Sequence, residues 1–106
     1  MSDQFDSVSV TKKALVHFNG ASISRVITLK DGSKKTIGVI LPTEHALTFK
    51  THSPERIEII SGKCKVQIGN QPDLLTYYSG DSFSIPANSQ FQIMSNVTIN
   101  YVCHFE

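Results

Sequence analysis

Across 106 residues, ten Lys and Arg against nine Asp and Glu leave a formal charge of +1, which gives no bulk attraction to nucleic acid or an anionic membrane surface, so any anion site has to be built locally. The length is that of one domain, able to bury roughly two thirds of its unfolded surface around a single core. Cys64 and Cys103 lie 39 positions apart with no CxxC or metal-ligand spacing, and the opening Met-Ser-Asp-Gln-Phe-Asp has neither a basic region nor an apolar run; no signal peptide or transmembrane span is expected.

Residues 1–7 are polar and read as a loose arm, leaving 8–106 as the domain. Asn19-Gly20 is a turn signal, followed by the alternating set Ile23, Arg25, Ile27, Leu29. Asp31-Gly32 marks the next turn, and Lys35, Ile37, Val39, Leu41 alternate after it. With Lys30-Asp31-Gly32 as a three-residue hairpin loop and Gly32 left-handed, Arg25 pairs with Ile37 and Ile27 with Lys35. Arg25 and Lys35 then become diagonal neighbours on one face, roughly 7 to 8 Å apart. Phe49, Thr51, Glu55, Ile57 and Ile59 are all odd-numbered and share a face, unless a bulge near Ser53-Pro54 breaks the parity.

Beyond Ser61-Gly62, Cys64, Val66 and Ile68 face one way and Lys63, Lys65 and Gln67 the other, the period of a half-buried strand. Further turn signals stand at residues 69–73, Ser79-Gly80, Pro86-Ala87-Asn88 and Ser95-Asn96. The final strand is expected to run Val97, Ile99, Tyr101, Cys103, Phe105 on one face. No long window keeps helical spacing, so the fold class is all-β with little or no helix, a sandwich or barrel of short strands. Both cysteines fall in alternating apolar runs and are expected reduced, buried and cytosolic, with a Cys64–Cys103 bridge as the alternative. His17, His45, His52 and His104 form no HxH or HxxxH pair and are expected at surfaces or edges.

Residues 43–95 invite comparison with the two cupin motifs, G-x5-H-x-H-x3/4-E-x6-G and G-x5-P-x-G-x2-H-x3-N. Four of the ten fixed positions survive as Glu55, Gly62, Gly80 and Pro86, while the other six read Thr43, Phe49, Thr51, Asn88, Phe91 and Ser95. The expectation is therefore a single-domain jelly-roll cupin whose three imidazole positions hold Phe49, Thr51 and Phe91. Glu55 alone does not make a transition-metal site, so no metal is expected.

Lys12-Lys13-Ala14, Phe18-Asn19-Gly20, Ser24-Arg25-Val26, residues 31–36, Gly38-Val39, Leu41-Pro42, Pro54-Glu55, Pro86-Ala87-Asn88-Ser89 with Phe91, and Tyr101 with Cys103 together resemble the pyrimidine/purine nucleoside phosphorylase family. Thr43 departs from it, standing where the family usually has glycine. The resemblance covers nearly the whole chain. It implies that phosphate attacks the ribose C1′ of purine and pyrimidine nucleosides, releasing free base and ribose 1-phosphate, with no organic cofactor and inorganic phosphate as co-substrate.

Residue roles follow from chemistry rather than from the resemblance. Arg25, Lys35 and Ser89 are the candidate phosphate ligands, Glu55 and Thr51 the candidates that grip the ribose and act in catalysis, and Phe49, Phe91 and Tyr101 the candidate stacking surfaces for a base. Each has a plainer reading as an ion pair, turn residue or core residue. A homodimer closing an open strand edge is expected, in the cytoplasm, with neither nucleic acid nor membrane as partner. The rival readings are a non-catalytic small-molecule binding module and a metal-dependent cupin oxygenase or isomerase.

Overall fold

A computed structural model describes residues 3–106; residues 1 and 2 of the expected arm lie outside the described residues. The chain forms β1 (Ser9–Val10), β2 (Leu15–His17), β3 (Ser22–Thr28), β4 (Lys34–Ile40), β5 (Leu47–Lys50), β6 (Glu55–Ser61), β7 (Lys63–Ile68), β8 (Leu75–Tyr78), β9 (Ser82–Ile85), β10 (Gln90–Met94) and β11 (Ile99–Phe105). A single tight turn over Phe18–Gly20 is the sole helical piece among the described residues. The class is all-β, a jelly roll of the cupin type, as the alternating runs and regularly spaced turns imply.

Two antiparallel sheets face one another. One has the order β1-β3-β4-β11-β6-β9, with β2 beside β1 on the outer edge of β3; the other runs β5-β10-β7-β8. Between them Ile40, Ile57, Ile59, Val66, Phe83, Phe91, Ile93, Ile99 and Tyr101 pack into one core. Period-two alternation decides which residues enter it: on β11 Ile99, Tyr101 and Cys103 turn inward, opposite Ile40, Gly38 and Thr36 on β4 and beside Ile59 and Ile57 on β6.

The turns follow local chemistry. At the β3–β4 hairpin the loop is Lys30-Asp31-Gly32, closed by Leu29 N donating to Ser33 O at 2.8 Å, with Gly32 at φ +87°. The register is the expected one, Arg25 opposite Ile37 and Ile27 opposite Lys35. Asp31 Oδ1 accepts from the Ser33 hydroxyl and backbone N–H at 2.6 and 2.8 Å, and these bonds hold its carboxyl below the usual range. At Gly62 a Cβ would stand 2.7 Å from Thr98 O, so the β6–β7 turn can press against the start of β11 only with glycine there.

The final strand begins at Ile99, not at Val97. Ser95 Oγ accepts from Val97 N at 3.0 Å and donates to Lys63 O at 2.7 Å. That hydroxyl turn leaves Val97 exposed. Cys64 and Cys103 are both free and buried.

Candidate functional site

The interior between the sheets opens at one end into a cavity of about 160 Å³. Its floor is apolar, made of Ile40, Ile57, Ile93 and Phe91, and its mouth carries Leu15, His17, Lys50, Glu55 and Phe105. Glu55 stands there because it opens β6 and shares the inward parity of Ile57 and Ile59.

Phe49 and Phe91 are register partners across β5 and β10. Their rings stack at 5.2 Å and 12°, and Phe83 stands edge-on to Phe91 at 5.6 Å. Phe91 is only 4% exposed, whereas Phe49 is half-buried and lines the cavity. Two positions that carry metal-binding imidazoles in the cupin motif are thus joined into one aromatic wall. The third, Thr51, is 3% exposed and does not line the cavity. Its Oγ1 donates to Pro86 O at 2.6 Å and accepts from Ser89 N at 3.1 Å, tying the end of β5 to the β9–β10 turn. The donor set of Phe49, Thr51, Phe91 and Glu55 does not fit the metal that the fold commonly holds. Among the described residues no three of His, Cys, Asp and Glu converge elsewhere.

The Cys103 thiol donates to Glu55 Oε1 at 3.3 Å. Burial raises the Glu55 pKa, while this bond and the nearby His52 hold it back. Burial, with the Glu55 charge beside it, pushes the Cys103 thiol up to about 12, so Cys103 acts as a donor and not as a thiolate. Tyr101 lines the cavity with its hydroxyl against those of Ser22 and Ser24, its pKa raised by burial.

Arg25 and Lys35 are brought onto one face, and it is the other face of the sheet. The cavity side of β3 and β4 carries Ser24, Thr36 and Ile40, while Ile23, Arg25, Ile37 and Val39 line a groove of about 970 Å³ on the outer side. Alternation gives the two sets but not which one is inside, and this sheet is apolar on both faces. Arg25 Nη1 donates to Lys12 O at 2.6 Å. Lys35 Nζ meets His104 Nδ1 at 2.7 Å, and His104 Nε2 meets Glu58 Oε1 at 2.9 Å. Arg25 is thus engaged with a backbone carbonyl and Lys35 with His104, on the face opposite the one that Glu55 and Ile57 share. Ser89 likewise sits in the Thr51 strap, its N–H and C=O both used.

Sequence reasoning brought Glu55, Phe49, Phe91 and Tyr101 to the cavity and missed His17, Lys50 and Cys103 there. The signal for His17 was present. Asn19-Gly20 is the strongest two-residue hairpin signature, and it lays β2 along β3 with His17 opposite Ser22 and Leu15 opposite Ser24, two inward residues. Lys50 has outward parity and reaches the mouth because β5 ends there.

Residues 12–105 match the family model described as pyrimidine/purine nucleoside phosphorylase. The chain is 52% identical over 105 residues to a protein of Acinetobacter baumannii named pyrimidine/purine nucleoside phosphorylase, which covers 99% of this chain and 97% of that one. It is 53% identical over 102 residues to the protein of the same name from Methylococcus capsulatus, covering 96% and 97%. Among solved structures, a protein of unknown function from Acinetobacter sp. ADP1 superposes with a TM-score of 0.98 at 51% identity, covering 99% of this chain and all of that one. An RmlC-like cupin from Shewanella frigidimarina superposes with a TM-score of 0.69 at 10% identity, over 96% of this chain and 86% of that one, a likeness of fold alone.

Proposed function

From the premise that the chain belongs to the pyrimidine/purine nucleoside phosphorylase family, we propose that it cleaves purine and pyrimidine nucleosides with inorganic phosphate, without a metal. A phosphate oxygen forms a bond to C1′ as the C1′–N bond breaks; the bonding pair leaves with the base, and the proton given up by phosphate ends on the base. The products are free base and ribose 1-phosphate, and the reaction is a pentosyl transfer.

The observation that carries this reading is the placement of one carboxylate, Glu55, at the mouth of an apolar cavity beside the Phe49–Phe91 wall. Cleavage of a glycosidic bond passes through an oxocarbenium-like state, which an adjacent carboxylate stabilises while it accepts hydrogen bonds from the ribose hydroxyls. Lys50 and His17, on the same rim, supply donors to the phosphate in place of Arg25, Lys35 and Ser89. Phe49 offers the base a π face that tolerates any base. Tyr101 serves as wall, and Thr51 serves as the strap behind the site.

We further infer a homodimer across the outer face. That face is apolar at Ile23, Ile37, Val39 and Val102 and carries both signs of charge, Arg25 with Glu58 and Asp3, in one groove. A two-fold interface must be complementary to itself, and a mixed-charge apolar face meets that demand. Both buried thiols are free, which suits a reducing, cytoplasmic setting. Among the described residues no helix is long and apolar enough to cross a membrane.

The test is consumption of uridine, inosine and adenosine with and without phosphate, by protein whose metal content has been measured. Phosphate-dependent release of base and ribose 1-phosphate by metal-free protein is expected. Survival of all three nucleosides with excess protein and phosphate would leave a binding module as the better account. Activity that tracks bound iron, manganese, nickel or zinc would replace the metal-free reading.

A further inference from the structure

Phe18 holds a backbone conformation that its own turn does not require. The turn closes through Ala21 N donating to Phe18 O at 3.1 Å, with Asn19 and Gly20 at φ +54° and +95°, the two left-handed centres of a type I′ hairpin. Phe18 precedes those centres and also sits at φ +54°. For a bulky side chain that region is costly and persists only where the surroundings impose it.

Burial of the ring is not what the conformation achieves, because Phe18 remains 42% exposed. It sets the ring perpendicular to Phe49, at 5.2 Å and 73°, and beside the His17 ring at 6.4 Å. Phe49 and His17 both line the cavity. The cavity's volume of about 160 Å³ falls short of the 300 Å³ or more typical of a site that encloses a whole small-molecule ligand. A nucleoside is therefore not wholly enclosed, and part of it stays at the mouth, where Glu55 and His17 stand.

We propose that Phe18 and Phe49 form the base-binding corner of the site, with Phe18 as the residue that sets nucleoside affinity. This rests on the reading of the cavity as a nucleoside site. The base lies on one ring and meets the other at its edge, an arrangement open to every base and stronger for the larger purines. The left-handed backbone holds the Phe18 ring against Phe49 and beside His17, two residues that line the cavity.

The chain contains no tryptophan, so Phe18→Trp creates a single tryptophan at the corner, excited selectively over the three tyrosines at long wavelength. Titrating that variant with inosine and then uridine, phosphate withheld, should give saturable quenching, deeper for inosine, whereas ribose 1-phosphate should give none. Phe18→Gly removes the ring and accepts the left-handed backbone freely. It should keep a thermal midpoint within a few degrees of the parent while its nucleoside KM rises about tenfold, the value expected for one lost stacking contact, and its phosphate KM stays unchanged. An active parent combined with unquenched Phe18→Trp, or with a parent-like nucleoside KM in folded Phe18→Gly, overturns the corner and leaves the phosphorylase reading standing. Quenching by nucleosides in a protein that cleaves none of them supports the corner and overturns the phosphorylase reading.

Discussion

Cys103 and Glu55 form the one hydrogen bond between a thiol and a carboxylate in the described residues, Sγ to Oε1 at 3.3 Å, inside the cavity. A donor to a carboxylate favours its charged form. Removing it with Cys103→Ala should therefore raise the Glu55 pKa further and move the acid limb of the kcat/KM profile to higher pH. Cys103→Ser, a stronger donor, should move the limb to lower pH. Cys64→Ala serves as the control, since Cys64 is buried but lies outside the cavity. Profiles that coincide for all three variants and the parent would show that the thiol does not govern the carboxylate.

Glu55→Gln should cut turnover about a hundredfold or more, the usual scale for losing a positioned acid–base group. The same change has a signed effect on stability. Burial raises the folded-state pKa of Glu55, so the folded form holds its proton more tightly than the unfolded form. Stability is then lost as pH rises through that raised pKa. The Gln variant should unfold at a higher temperature than the parent at neutral pH, and the gap should close below the ordinary carboxylate range. Melting curves across pH measure both, and a variant as active as the parent would take Glu55 out of the reaction.

The strands, turns and hairpin register were legible because they rest on short-range rules. Asp31-Gly32 fixed the Arg25–Ile37 pairing, and Glu55 reached the cavity by parity with Ile57 and Ile59. Two kinds of information were not local. Alternation sorts Ile23, Arg25, Lys35 and Ile37 from Ser22, Ser24, Thr36 and Ile40, yet both sets contain apolar residues, so only the opposing sheet decides which is interior. Thr51 shared the parity of Phe49 but stands one residue past the end of β5, where the chain turns and its hydroxyl finds Pro86 O instead of the cavity.

Thr51→Val should act on stability. It removes a buried hydroxyl that makes two hydrogen bonds and leaves Pro86 O and Ser89 N without that partner, a loss of about 1–3 kcal/mol. For a domain of this size that corresponds to a thermal midpoint lower by roughly 4 to 20 °C. Calorimetry checks it. An unchanged midpoint with collapsed turnover would return Thr51 to the catalytic set.

The outer face makes a prediction about mass. Val39→Asp places a charge among Ile23, Ile37 and Val102 without touching the cavity lining. If two chains meet there, light scattering should give twice the 11.7 kDa chain mass for the parent and the single mass for the variant, because burying an unpaired carboxylate at an interface is prohibitive. A parent that scatters as one chain at working concentration would refute the interface.

Charge placement gives the last prediction. Lys50 stands at the mouth with Glu55 and His17, while Arg25 is on the opposite side of the sheet, bonded to Lys12 O. A phosphate poised to attack C1′ must lie within contact distance of the ribose that Glu55 grips, and among the described residues Lys50 is the one Lys or Arg that lines the same cavity. Lys50→Ala should thus raise the phosphate KM about tenfold, the cost of one charge-assisted contact, with a smaller change in the nucleoside KM. Arg25→Ala should leave the phosphate KM at the parental value, because a charge on the far face is separated from the anion by the sheet and screened by solvent. Initial rates over a phosphate series at saturating inosine discriminate the two. The opposite pattern, with Arg25→Ala impaired and Lys50→Ala normal, would mean that phosphate approaches from the groove and that the cavity is not where the bond is cut.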